Sequence, residues 1–275
     1  MELWICVTWS TQFAPSQEPP LACPICRDQR QYVGYEGRRW TPLAKLRASG
    51  LRPVFKGHES HLIGIGSDAT CAIGQRALLV QTTEGNLLWD CLSCLDGETV
   101  ERVAALGALR AIASSHPHYY SGMVEWAERF SVPVYLHAAD RRRVMSPSKR
   151  LAFWPGETRE LCGGMTLLCL GGHFPGGAVL YWPDGAEGRG AVLSSDIIQV
   201  VADRRWVSFM DSYPNLIPLP ASEVARIRSA IAPIASIASM EPGAWFERVI
   251  FSAAYAAVMR SAEGYIQAPA SQLPA

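Results

Sequence analysis

With 275 residues, 49% of them hydrophobic, the chain can bury a large core, and one main domain plus a small appendage fits that length. Twenty-five basic residues offset twenty-five acidic ones, which leaves no electrostatic footprint for nucleic acid or an anionic membrane. Residues 1–6 lack a basic region followed by a sustained apolar run, and no window approaches the roughly 20 apolar residues of a membrane span, so a soluble, cytoplasmic protein is expected. Its eight cysteines are then expected to be reduced thiols.

In the first 45 residues Cys6 is followed by a proline-rich stretch at 14–20 and by Cys23-Pro24-Ile25-Cys26. This segment resembles a degraded rubredoxin-like or zinc-ribbon knuckle pair. Such modules use Cys-x-x-Cys twice because four thiolates close a tetrahedral site. Here Trp9 stands where the partner of Cys6 should be, and Cys91-Leu92-Ser93-Cys94 offers a further pair 65 residues past Cys26. Three readings stay open: packing of Trp4, Trp9 and Trp40 without metal, a site of Cys6, Cys23 and Cys26 completed by another residue or water, and redox-active cysteine chemistry.

His58 and His61 fall in a polar loop and are expected at the surface. A second unit over 60–270 is predicted to be rich in strands at first. Residues 77–82 and 87–90 read as a hairpin across a Glu84-Gly85-Asn86 turn. Residues 98–108 read as a helix with Val100, Val103, Ala104 and Gly107 on one face. A strand at 111–113 leads into His116, followed by a helix at 122–130 and a strand at 132–136. His137 reads as a locally hydrogen-bonded residue. Further strands are predicted at 166–170, 178–182 and 191–194, and helices at 222–232 and 253–266. Cys71, Cys162 and Cys169 read as small buried hydrophobes.

The stretch 203–215 shows no clean period and reads as a loop. Its Trp206, Phe209 and Tyr213 could hold an apolar substrate while Arg204 or Arg205 pairs with a carboxylate; equally, the aromatics could cap the core and the arginines be solvated.

His116-Pro117-His118 is the most informative motif. Residues i and i+2 of an extended segment point the same way, so both imidazoles could face one ion. His173 follows 55 residues after His118, between Gly171-Gly172 and Gly176-Gly177, and Asp196 follows 23 residues later, after an apolar run. Three neutral imidazoles with an open position suit zinc, or iron, and lower the pKa of a coordinated water to roughly 7.

In order and spacing these residues resemble the metallo-β-lactamase-fold hydrolases, whose signature is His-x-His-x-Asp-His, then a His after glycines, an Asp, and a final His. The resemblance implies an α/β fold, a four-layer αββα sandwich, with a small ribbon-like appendage at the N-terminus. It implies metal ligation by His116, His118, His173 and Asp196. Tyr120 stands where the family has the motif's Asp and Ser121 where it has the second His, and no histidine exists beyond His173. The second metal site is therefore degraded, and one ion, Zn²⁺ or alternatively Fe²⁺, is expected. Asp196, as fourth ligand or water-orienting base, and Tyr120, hydrogen-bonding the water, are the candidate catalytic groups.

The expected function is that of a mononuclear metallo-hydrolase acting on a small ester, lactone, thioester or amide. Alternatives are a catalytically silent binding or interaction module on the same fold, and a mononuclear iron oxidoreductase using two histidines and Asp196. The expected partner is a small-molecule substrate, with no nucleic acid and no membrane. No heptad or apolar stripe indicates an oligomeric state.

Overall fold

A computed structural model of the chain describes residues 1–31, 33, 35, 37–68, 74–93, 95–234, 236–241 and 248–268. Cys71 and Cys94 lie outside the described residues. Two sheets face one another. The first has seven strands in the order Pro53–Glu59, Leu62–Ser67, Ala77–Val80, Asn86–Trp89, Leu109–Ala113, Val134–His137 and Leu151–Trp154. The second has five, in the order Thr158–Glu160, Thr166–Cys169, Ala178–Trp182, Ala191–Leu193 and Ser239–Glu241.

Strand alternation builds the layers. Along Ala77–Val80, Leu78 and Val80 turn inward to meet the second sheet while Ala77 and Leu79 turn to the outer face. The inter-sheet core also holds Leu87, Trp89, Ala111 and Ala113 from the first sheet and Leu167, Leu180, Trp182 and Leu193 from the second. On the outer face of the first sheet lie the helices Gly97–Ala105 and Met123–Phe130, which contribute Val100, Val103, Met123 and Trp126. The outer face of the second sheet is covered by Ala221–Ile231 and Ala254–Gln267, through Val224, Ile227, Ala257 and Val258. The result is the expected four-layer αββα sandwich.

Two topological features place the functional edge. Asn86–Trp89, Leu109–Ala113 and Val134–His137 run parallel, because each connection crosses over through a helix on the outer face. Their C-terminal ends therefore share one edge, and Asp90 lies beside Ser114 and Ser115. In the second sheet Thr166–Cys169 and Ala191–Leu193 are each antiparallel to the strand between them, so they too end at one edge. The Ala178 N–H donates to the Ser115 carbonyl at 2.9 Å and joins the two edges.

Several expectations need correction. The helix predicted at 98–108 runs over Gly97–Ala105: Asp96 caps it by accepting from the Thr99 N–H, and Gly107, at φ +120°, has left the helix. The first sheet begins at Pro53, so His58 belongs to a strand and its side chain is only 4% exposed, paired with Arg76 and Glu241. Cys162 sits in a turn and Cys169 at a strand end, both half-buried rather than buried. Among the described residues no helix is long and apolar enough to cross a membrane.

Leu180, fully buried between the sheets, tests this architecture. Leu180→Ala leaves a cavity between two sheets that are tied to each other and cannot fully close it, and should lower unfolding stability by about 2–5 kcal/mol in denaturant titration.

Candidate metal centre

Each ligand-bearing side chain is set by a specific local device. His116 is extended, at φ −169°, at the end of the strand Leu109–Ala113. Pro117 then starts a single turn of 3₁₀-helix, Pro117–Tyr119, that contains His118. The two imidazoles thus converge across a turn, not along a strand as expected. They present different atoms: His116 Nε2 and His118 Nδ1 are 3.2 Å apart. His173 projects from a loop closed by bonds from the Leu170 and Gly171 N–H groups to the Gly177 carbonyl. Gly172, at φ +77°, turns that loop, and a Cβ there would lie 2.9 Å from Leu219. Asp196 follows Ser195, which is itself held at φ +49°, and the Tyr213 hydroxyl donates to the Asp196 carbonyl at 2.9 Å.

These four residues offer ligand atoms that all lie within 4.8 Å of one another. Asp196 Oδ2 is 3.3 Å from His116 Nε2 and 3.8 Å from His118 Nδ1. Tetrahedral ligands at 2.0–2.1 Å from a shared ion would stand about 3.3 Å apart. The three imidazoles are at most 2% exposed, and Phe174 packs against all of them.

Hydrogen bonding fixes which nitrogens are free. Ser115 Oγ donates to the buried Asp90 carboxylate at 2.8 Å and lies 2.9 Å from His116 Nδ1. Its one proton being committed to Asp90, the hydroxyl accepts from Nδ1–H, and the lone pair of His116 Nε2 points into the cluster. His173 Nδ1 lies 3.3 Å from the Met210 carbonyl, which can only accept, so its Nε2 is the proton-free atom. That Nε2 is buried with no hydrogen-bond partner among the described residues. Burial pulls the His173 imidazole down to about 4 and holds His118 well below its ordinary value, favouring the neutral rings a metal requires. Burial also opposes ionisation of Asp196, but the His116 and His118 imidazoles beside it outweigh that penalty and hold the carboxyl well below the usual carboxylate range. Neutral nitrogen acceptors and a carboxylate facing one buried point fit a single divalent cation.

No family model matches the chain. Over 274 residues, 99% of both chains, it is 47% identical to the uncharacterized protein YmaE of Bacillus subtilis (strain 168). The chain belongs to the YmaE family. Its fold is that of the metallo-β-lactamases. Superposition on DIM-1 metallo-β-lactamase covers 78% of this chain and 99% of that one, with a TM-score of 0.59 at 14% identity. FIM-1 from Pseudomonas aeruginosa, solved in its mono-zinc form, gives a TM-score of 0.57 at 14% identity over 78% of this chain and 96% of that one.

In this YmaE-family chain Tyr120 and Ser121, the positions where the sequence resemblance led one to expect further ligands, are absorbed by packing. Tyr120 lies in the hydrophobic cluster of the first sheet with Met123 and Trp126, away from the role expected for it. Ser121 donates to the Cys91 carbonyl. Tyr119 is the tyrosine beside the cluster, 5.2 Å from His116 between ring centres, and its buried hydroxyl has no hydrogen-bond partner among the described residues. The 3₁₀ turn explains the exchange, because it rotates each successive side chain by about a third of a turn.

The expected pocket of Trp206, Phe209, Tyr213 and Arg204 is divided in three. Short strands at Val207–Ser208 and Met210–Ser212 alternate Phe209 into the core. Trp206 and Arg204 are exposed and line a separate surface cavity of about 600 Å³ with Phe251 and Arg260. Only Tyr213 reaches the cluster, with its ring 5.5 Å from His173. His137 is engaged locally, accepting from the Ala139 N–H and contacting the Gly156 carbonyl.

The N-terminal segment closes the site from above. Trp9 stacks on His118 at 3.9 Å and 11°. Arg30 donates to the His173 carbonyl at 3.1 Å and pairs with Asp211 at 2.9 Å. Its three cysteines converge as well, with ligand atoms within 4.8 Å of one another. Sequence reading missed Asp90, Ser115 and Arg30; the one signal for Asp90 was a lone carboxylate at the end of an apolar strand.

The Asp90–Ser115–His116 relay gives a direct test. Ser115→Ala removes the acceptor that fixes the His116 tautomer, and metal affinity should fall by about 10–100-fold with the fold retained, as read by chelator competition and circular dichroism.

Proposed function

We propose that His116, His118, His173 and Asp196 hold one divalent ion, zinc by the chemistry of the donor set, and that the chain is a metal-dependent hydrolase of a small ester, lactone, thioester or amide. The observation behind this reading is the convergence of the proton-free nitrogens and the Asp196 carboxylate on one buried point. FIM-1, of the same fold, was solved in a mono-zinc form, which agrees with a one-ion site. A bound divalent ion supplies Lewis acidity, polarising a carbonyl and acidifying water.

The chain's own groups complete the chemistry. His116 is kept in register by Ser115 and Asp90, and His173 by the Met210 carbonyl. Asp196, ionised, is the acceptor available for a proton at the cluster. Burial keeps the Tyr119 phenol protonated, so its unpartnered hydroxyl can donate to an oxygen that gains charge during attack. Phe174 and Trp9 exclude water around the rings. A substrate of modest size is implied, since it must enter beneath the N-terminal segment.

The test is metal analysis together with turnover on a panel of lactones, esters, thioesters and amides. The wild-type chain should retain metal at the histidine cluster, and chelation should abolish turnover of at least one panel member, with zinc or ferrous iron restoring it. His116→Ala should reduce that turnover on the order of 10²-fold or more. Absence of metal after reconstitution at this cluster would overturn the reading. The depth of the imidazoles beneath Trp9 supports a second reading, a catalytically silent binding module on the same fold. Bound metal with no turnover on any panel member, and thermal stabilisation by apolar ligands, would favour it.

A further inference from the structure

The cysteines of the N-terminal segment have no role in the histidine cluster, yet they are arranged as a unit. Cys6 closes the strand Trp4–Cys6, Cys23 is the N-cap of the one-turn helix Pro24–Arg27, and Cys26 lies within that helix. Their exposures are 0%, 0% and 7%, and Cys6 Sγ and Cys26 Sγ stand 3.4 Å apart. Thiolates held at about 2.3 Å by a tetrahedral ion stand about 3.8 Å from one another, close to this spacing. The three sulfurs all lie within 4.8 Å of one another.

The surroundings make a purely hydrophobic role insufficient. The buried cluster of this segment is Cys6, Trp9, Phe13, Cys23, Ile25 and Cys26, so half of its members are cysteines. Val33, Trp40 and Met145 pack against it, and small cysteine-rich clusters of this kind are commonly completed by a bound ion.

We propose that Cys6, Cys23 and Cys26 form a second metal site, a three-thiolate centre for a soft divalent cation of the zinc class, with its fourth position open to water or an external ligand. Trp9, three residues after Cys6, leaves that fourth position vacant of sulfur and lies against His118 instead. Arg30, four residues after Cys26, reaches the His173 carbonyl. A cation on the three sulfurs therefore anchors both contacts by which this segment roofs the histidine cluster. This site does not depend on the hydrolase reading, and it can stand or fall separately.

The experiment is titration of the full-length reduced chain with Co²⁺, following thiolate-to-metal charge-transfer absorbance in the near ultraviolet. Wild-type protein should develop the band with one equivalent at the thiolates, and a His116→Ala/His118→Ala variant should retain it while losing the other equivalent. Cys23→Ser/Cys26→Ser should lose the band and keep metal at the histidines. It should also show faster amide exchange over residues 4–13, where Trp9 is anchored. Should the cysteine variant fail to fold, the wild-type band and its retention in the histidine variant decide the matter. A wild-type chain without charge-transfer absorbance, or one in which mass analysis of the native protein alkylated without prior reduction finds Cys6 bonded to Cys26, overturns the proposal.

Discussion

The structure depends on one electrostatic constraint: several acceptors, with nothing to donate to them, are buried at the point where two sheets end. His116 is forced to turn its lone pair inward by Ser115 and Asp90, and His173 by a carbonyl. Asp196 adds a carboxylate 3.3 Å from His116. Buried acceptors without partners cost on the order of 1–3 kcal/mol each, more where charge is involved. A proton between His116 and Asp196 would satisfy that pair alone and leave His173 Nε2 unsatisfied, whereas one cation satisfies all of them. The fold maintains this arrangement because parallel strand ends put Asp90 beside the histidine turn, and the edge bond from Ala178 to Ser115 keeps the second sheet in register with the first.

Much of this was legible in the amino-acid order. The alternation in 77–90, the spacing of His116, His118 and His173, and the apolar run before Asp196 each obey a local rule, and local rules survive folding. The atoms did not follow from sequence, since a strand and a 3₁₀ turn both bring i and i+2 together but present different ring nitrogens and exchange Tyr119 for Tyr120. Asp90 was hidden because its partner, Ser115, is adjacent only through the parallel pairing of Trp89 with Ala113. His58 looked like a loop residue because its neighbours are polar. Its burial comes from Glu241, 183 positions away in the sequence.

The N-terminal segment changes meaning once it is seen in place. As a string it resembles a detached ribbon, with its own cysteines and its own small core. In space it is fastened to the main sandwich by several bonds, among them Ser93 to the Ser10 carbonyl, Ala14 to the Met145 carbonyl, Asn215 to the Gln29 carbonyl, and Arg30 to Asp211. Two of its side chains, Trp9 and Arg30, touch the residues that carry His118 and His173. Access to the cluster is thereby a property of the appendage rather than of the sandwich, and the sandwich alone would leave the His118 ring without its stacking partner.

The edge that would accommodate a second ion is differently furnished. Glu241 ends the strand parallel to Ala191–Leu193, and it engages the fully buried guanidinium of Arg76 at 3.0 Å, while His58 lies 2.8 Å from Arg76 and 3.6 Å from Glu241. Burial pushes Glu241 up to about 7 in spite of Arg76, and burial pulls His58 down to about 4, so this group carries little spare negative charge. The Arg76 guanidinium lies close enough to Tyr119 to act on its phenol. A further metal ion there would find Glu241 committed to Arg76 and Asp196 to the histidines, with Tyr120 and Ser121 turned into packing. The buried Arg76–Glu241 pair therefore agrees with the proposed one-ion site.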